Sequence, residues 1–151
     1  MNGFSFHWFG DLFKEQRVGD FKGSFLRSII LALIVMILTV VISLAAGLAY
    51  RKGFKFSGTV FYVTVASLIV PSILITLGIG LMFDRLGIEA QWYTSGMGAH
   101  LTWTLPFGLL IMFAIFNRFD KSYEEAARDL GATPWQVLRY VIIPIIGPSL
   151  V

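Results

Sequence analysis

The residues able to do chemistry in this chain are few, and most of them fall in one stretch. Phe116–Pro148 reads FNRFDKSYEEAARDLGATPWQVLRYVIIPIIGP and gathers acids, bases, hydroxyls and an amide between two apolar runs. Their spacing is that of helix ends rather than of a reaction centre. Ser122 and Glu125 stand at capping-box spacing, which predicts a helix from Tyr123. Glu124 and Glu125 fall in its first turn and Arg128 near its end, as the helix dipole favours. Gly131 is a natural stop, because glycine takes the left-handed conformation that ends a helix. Thr133, Pro134 and Gln136 then repeat the start signal: a hydroxyl cap, a proline at the first position and an amide three residues after the cap. A second helix is expected to run through Trp135, Leu138 and Val141 into the next apolar run. Ala126 and Ala127 keep the first helix small-sided, so that another surface can approach closely. Chemistry of this kind is mechanical, although a solvated connecting loop is the plainer reading of the same residues.

Other reactive constellations are excluded or weak. The chain has no cysteine, which removes thiol catalysis, cysteine-based metal sites and internal disulfides. It has no G-x-x-x-x-G-K-[ST] phosphate loop. His100 is the one ionisable residue within the main apolar runs, and no second His, Asp or Glu near it has metal-site spacing. It is read as an interfacial polar residue. An ion-coupled carrier usually keeps charges at membrane depth, so their scarcity argues against one. Trp92, Tyr93 and Trp103 lie close in sequence. They suit either cation–π attraction for an organic cation or the commoner aromatic belt. Gly78-Ile79-Gly80 permits close helix approach, with ordinary packing the simpler account. With no nucleophile–base pair present, no catalytic, cofactor-binding or metal residue is assigned.

The elements that carry these residues follow from where charge is missing. Apolar residues make up 56% of the 151-residue chain and charged residues 14%. Four runs hold no charge at all: Ser28–Tyr50, Phe56–Phe83, Ala90–Asn117 and Tyr140–Val151. A helix needs about 20 apolar residues to cross a hydrocarbon core of about 30 Å. The first three runs qualify and the fourth does not. Soluble globular, disordered, collagen-like and disulfide-stapled classes are excluded. The expected fold is an all-α integral membrane protein with three full spans and the start of a fourth.

Residues 1–27, with Phe4, Phe6, Trp8, Phe9, Phe13 and Phe21 among four Lys/Arg, are expected to lie at the outer membrane surface. Ser28–Tyr50 is the cleanest span. In the second, Pro71 withholds a donor and presses on the carbonyl of Ser67, so a kink is expected, with Ser67, Ser72 and Thr76 available to satisfy freed groups. Asp84–Glu89 makes a polar turn around Gly87. The third span is placed at about His100–Phe116, with Gln91–Gly98 interfacial and Pro106 in its first turns. Lys/Arg number seven in the loops at 51–55 and 118–139 and five in the alternate segments. The positive-inside rule therefore puts the former in the cytoplasm. A net charge of +3 fits loops facing anionic lipid and is too small to suggest nucleic acid. The fourth run would reach only about 18 Å as a helix. The sequence is accordingly expected to be a piece of a longer polypeptide.

The polar stretch also resembles a known signature. Membrane-spanning subunits of binding-protein-dependent ABC importers carry a cytoplasmic motif of EAA, three residues, G, nine residues and I-x-L-P. Here Glu125-Ala126-Ala127 is followed by Arg128-Asp129-Leu130, Gly131, nine residues and Val141-Ile142-Ile143-Pro144. Only Val141 for Ile and Ile143 for Leu depart from it, both conservatively. The phrase EEAARDLGATPWQVLRYVIIP is most similar to the spermidine/putrescine-type subgroup. The resemblance implies a partial permease domain over residues 28–151, in a bacterial inner membrane, with a coupling loop at 117–139. In that family the loop docks in a groove of a cytosolic ATPase, whose ATP-driven closure reorients a permease pair. By position, Glu125, Ala126, Ala127, Gly131 and Pro144 would form the docking element. The implied partners are ATPase subunits, a second permease subunit, an extracytoplasmic solute-binding protein and the bilayer. A polyamine-like solute is implied, with no cofactor in this chain and ATP hydrolysis in a separate subunit. The competing expectation is a non-transporting membrane scaffold or a degenerate remnant; a membrane enzyme is more remote.

Overall fold

A computed structural model describes residues 20–149, and all regular structure in them is helical. Helix α1 is Phe21–Arg51, with 31 residues. Asp20 caps it, the carboxylate Oδ2 accepting from the Gly23 N–H at 3.0 Å. This cap is why the helix begins at Phe21 rather than at Ser28, taking in the last residues of the segment read as interfacial. Residues 1–19 of that segment lie outside the described residues. At 1.5 Å per residue α1 is about 46 Å long, more than a bilayer core requires.

The second expected span is not one kinked helix. It is two, α2 (Ser57–Ser67) and α3 (Ser72–Arg85), bent by 96° at the break. Pro71 precedes α3 in an extended conformation, φ −58° and ψ 126°. It both lacks an N–H and biases Val70 away from the helical region, so two successive residues resist continuation. The chain tightens before the break: the Leu68 and Ile69 amides donate to Val65 and Ala66 carbonyls at 3.1 Å each, three residues back. The nearby hydroxyls bond within their own helices, Ser67 to the Thr64 carbonyl at 2.7 Å and Thr76 to the Ser72 carbonyl at 3.0 Å. Neither reaches the carbonyl of Ser67.

Helix α4 is Met97–Arg118, preceded without a break by a π-helical turn at Trp92–Gly96. From Trp92 onward, the residues read as interfacial before His100 are thus helical. Gln91 starts the turn: its carbonyl accepts from the Ser95 hydroxyl at 3.1 Å, and its N–H donates to the Thr94 hydroxyl at 3.1 Å. Pro106 lies inside α4 and is buried, and the helix continues through it. Among the described residues, α1 and Trp92–Arg118 are long and apolar enough to cross a membrane; counting the bent pair as one span makes three.

The described chain continues in α5 (Ser122–Asp129), α6 (Pro134–Val137), a π-helical turn at Leu138–Ile142, α7 (Ile143–Ile146) and a 3-10 turn at Gly147–Ser149. The π turn falls just before Pro144, whose missing N–H would leave the carbonyl four residues back without a donor. Burial concentrates at this end. Met112, Phe116, Val137, Ile142 and Ile146 form one core, with Leu44 and Leu48 of α1 packed against it. Gly47 makes the approach possible, since a Cβ there would meet the Phe116 ring at 2.7 Å and the Met112 Cβ at 2.9 Å. One turn earlier, Ser43 is wholly buried against Gly108. Tyr50 and Phe113 stack with centroids 4.1 Å apart, and the Thr39 and Thr104 hydroxyls meet at 2.9 Å.

Candidate coupling site

The polar stretch does fold as two short helices, but its first cap differs from expectation. Ser122 is already inside α5 and makes no side-chain cap. Asp120 does the capping, its Oδ1 accepting from the Ser122 N–H at 2.9 Å. That backbone bond, and a second from the Ser122 side chain, hold the Asp120 carboxyl below the usual carboxylate range. Ser122 thus gives up its own amide to Asp120, and the Glu124 and Glu125 amides donate to the Lys121 carbonyl at 3.0 and 3.2 Å.

The other local signals read true. Gly131 has φ +83°, the left-handed backbone that ends α5. The Thr133–Gln136 capping box is complete: the Thr133 N–H donates to Gln136 Oε1 at 2.7 Å, and the Gln136 N–H to Thr133 Oγ1 at 3.4 Å. Both helices are therefore fixed at their facing ends, with a turn of few residues between them.

Orientation of α5 sorts its side chains into two sets. Glu125 and Ala126 are exposed, as is Gly131 in the turn. Ala127 is half-buried and packs on the core, so the small-sided pair is shared between the protein interior and the outside. Pro144 lies apart on α7, exposed beside Ile145. Leu130 is 90% exposed, and Tyr123 and Trp135 are exposed as well.

Glu124, next to the motif, turns the other way. It is buried and forms an ion pair with Arg51, the last residue of α1, each side chain about 10% exposed. The Arg51 guanidinium also lies over the Phe119 ring at 4.7 Å and the Phe116 ring at 5.9 Å. Arg128 approaches the second Glu124 oxygen at 3.5 Å from a mostly exposed position. A cleft of about 330 Å³ opens beside the pair, with Lys52 and Lys121 at its edge and Val137 and Ile142 in its floor. From sequence Glu124 reads as a first-turn acid, and its pairing with Arg51 is not anticipated. The only signal was faint: Glu124 and Arg128 stand four apart on a helix, and Arg51 closes a span.

The remaining sequence candidates stay dispersed. His100 is exposed on α4, and no group of three metal-ligating side chains occurs among the described residues. Trp92 and Tyr93 meet edge to face at 5.4 Å, while Trp103 takes Phe107 as its ring neighbour at 5.6 Å. A three-ring cage is not what these residues build.

Comparison with known proteins bears on this loop directly. Residues 39–151 match the family described as binding-protein-dependent transport system inner membrane component. The chain is 32% identical over 111 residues to the spermidine/putrescine transport system permease protein PotC of Escherichia coli (strain K12), covering 71% of this chain and 40% of that one. It is 28% identical over 155 residues to the putrescine transport system permease protein PotI of the same strain, covering 99% and 54%. Haemophilus influenzae PotC is 30% identical over 153 residues, covering 99% and 57%. The chain spans about half the length of these curated relatives. They are transport subunits by name rather than enzymes, and the matched region takes in both long helices from Thr39 onward and the whole polar stretch. On the motif, the helical architecture and this match together, the chain belongs to the family of binding-protein-dependent transport system inner membrane components.

Proposed function

We propose that the chain serves as a membrane-spanning permease subunit of an ATP-binding-cassette importer and that α5 with its following turn docks a cytosolic ATPase. One observation carries the reading: the EAA–G–P pattern coincides with a helix that presents Glu125, Ala126 and Leu130 outward while its opposite side is anchored in the core. Ala126 lets a partner's surface approach closely, Leu130 supplies an apolar anchor, and the caps at Asp120 and Thr133 keep the element stiff. Ala127 and Pro144 act behind the contact, one seating α5 and the other shaping the helix that continues from α6. On this reading the segments 51–55 and 117–139 face the cytoplasm of a bacterial cell. The solute path runs between this subunit and a second permease subunit, fed by an extracytoplasmic binding protein. A polyamine-like solute is favoured by the printed names of PotC and PotI.

The test is co-purification of the ATPase from membranes holding the permease. Ala126→Glu and Leu130→Asp alter exposed positions and are expected to abolish association while the permease inserts at its usual level. Undiminished association with both variants refutes the docking role. ATP-dependent accumulation of labelled putrescine or spermidine, lost in the same variants, tests the solute class.

A further inference from the structure

We infer that Arg51 and Glu124 form the link that transmits displacement of α5 to the membrane helices. The inference rests on the docking reading above and adds two positioning residues to it. Glu124 is the one charged residue buried among the described residues, at 8% exposure. Its partner comes from the far end of α1, so the pair ties together elements distant in sequence. The same guanidinium lies on rings of Phe116, at the end of α4, and Phe119, in the connector to α5. Three elements therefore meet at one planar cation. Apolar burial is non-directional, whereas a buried charge cannot leave its partner without stranding it in an apolar setting. Motion imposed on the outer face of α5 is thereby passed to α1. Arginine suits the role because its planar guanidinium can face a carboxylate while lying over aromatic rings, as Arg51 does with Glu124, Phe116 and Phe119. Arg128 makes its contact to Glu124 within α5 itself and from a mostly exposed position, so it carries nothing between elements.

The experiment measures solute taken up per ATP hydrolysed, in vesicles holding the permease with its ATPase. Glu124→Gln and Arg51→Lys are expected to lower this ratio at least about fivefold, the low end of typical coupling effects. Arg128→Gln is expected to leave it within about twofold, as for an exposed pair. Because the chain has no cysteine, an Arg51→Cys/Glu124→Cys variant can be bridged by a reducible bis-methanethiosulfonate. The bridge is expected to restore the ratio and reduction to remove it again in the same molecules, which separates loss of the link from misfolding. A wild-type ratio in Glu124→Gln, or a bridged variant that binds ATPase yet stays uncoupled, overturns the inference. Failure of the unaltered chain to retain ATPase refutes the docking reading instead.

Discussion

Two regions of the described chain solve different problems. Around α5 and α6, burial is dense: Val137 and Ile146 are each 2% exposed, and a glutamate is taken in with its arginine. Around the bent pair α2–α3, burial is almost absent, and α3 has no buried residue at all. Leu77 and Leu81 of α3 stand 58% and 64% exposed. An apolar side chain in hydrocarbon gains little by leaving lipid for protein, so span faces stay open without penalty. Charged and capped segments outside the hydrocarbon have no such freedom. Their polar groups need partners, as Glu124 finds in Arg51. Dense packing therefore gathers where the polar stretch meets the ends of α1 and α4.

That contrast is open to breaking, most forcefully at the contact of α1 with α4. Gly47→Leu drives a side chain into Phe116 and Met112, with overpacking expected to cost about 1–3 kcal/mol or more and to separate the helices. Loss of folded protein on heating in detergent measures it, and a stable Gly47→Leu protein would mean that this contact is not close. A matched pair of truncations comes next. Ile146→Ala in the core is expected to cost about 2–5 kcal/mol through the cavity it leaves. Leu81→Ala on the open face should stay within about 0.5 kcal/mol. Equal losses at the two sites would erase the distinction. The smallest effect concerns pH at the α5 cap. Hydrogen bonds to the ionised carboxylate depress the Asp120 pKa in the folded state. The stabilisation is thus complete above the ordinary carboxylate pKa and is lost as pH falls through the depressed one. Amide exchange at Ser122 is expected to speed up only under that acidic condition, and Asp120→Asn should remove most of the pH dependence while keeping an acceptor.

Legibility followed distance along the chain. Gly131 and the Thr133–Gln136 box were readable because each acts on backbone within three or four residues of itself. The apolar runs were readable because a missing charge is a property of composition. Pro71 announced an interruption, but not one of 96°, because the size of a bend depends on how the freed backbone groups find partners on either side. Ser122 and Asp120 are both good caps, and composition alone did not rank them. Asp20 likewise lengthened α1 beyond the charge-free run by supplying one well-placed acceptor.

Sequence by itself thus determined helices with apolar runs of membrane-spanning length, an interruption at Pro71, and a two-helix motif with EAA spacing. Only the tertiary structure decided which of two neighbouring glutamates turns inward and which stays outside, and which of two neighbouring alanines is packed. The reason is physical: helix caps and turn glycines act through bonds that close over a single turn. The inward glutamate is selected by Arg51, whose proximity exists only once α1 and α4 have packed.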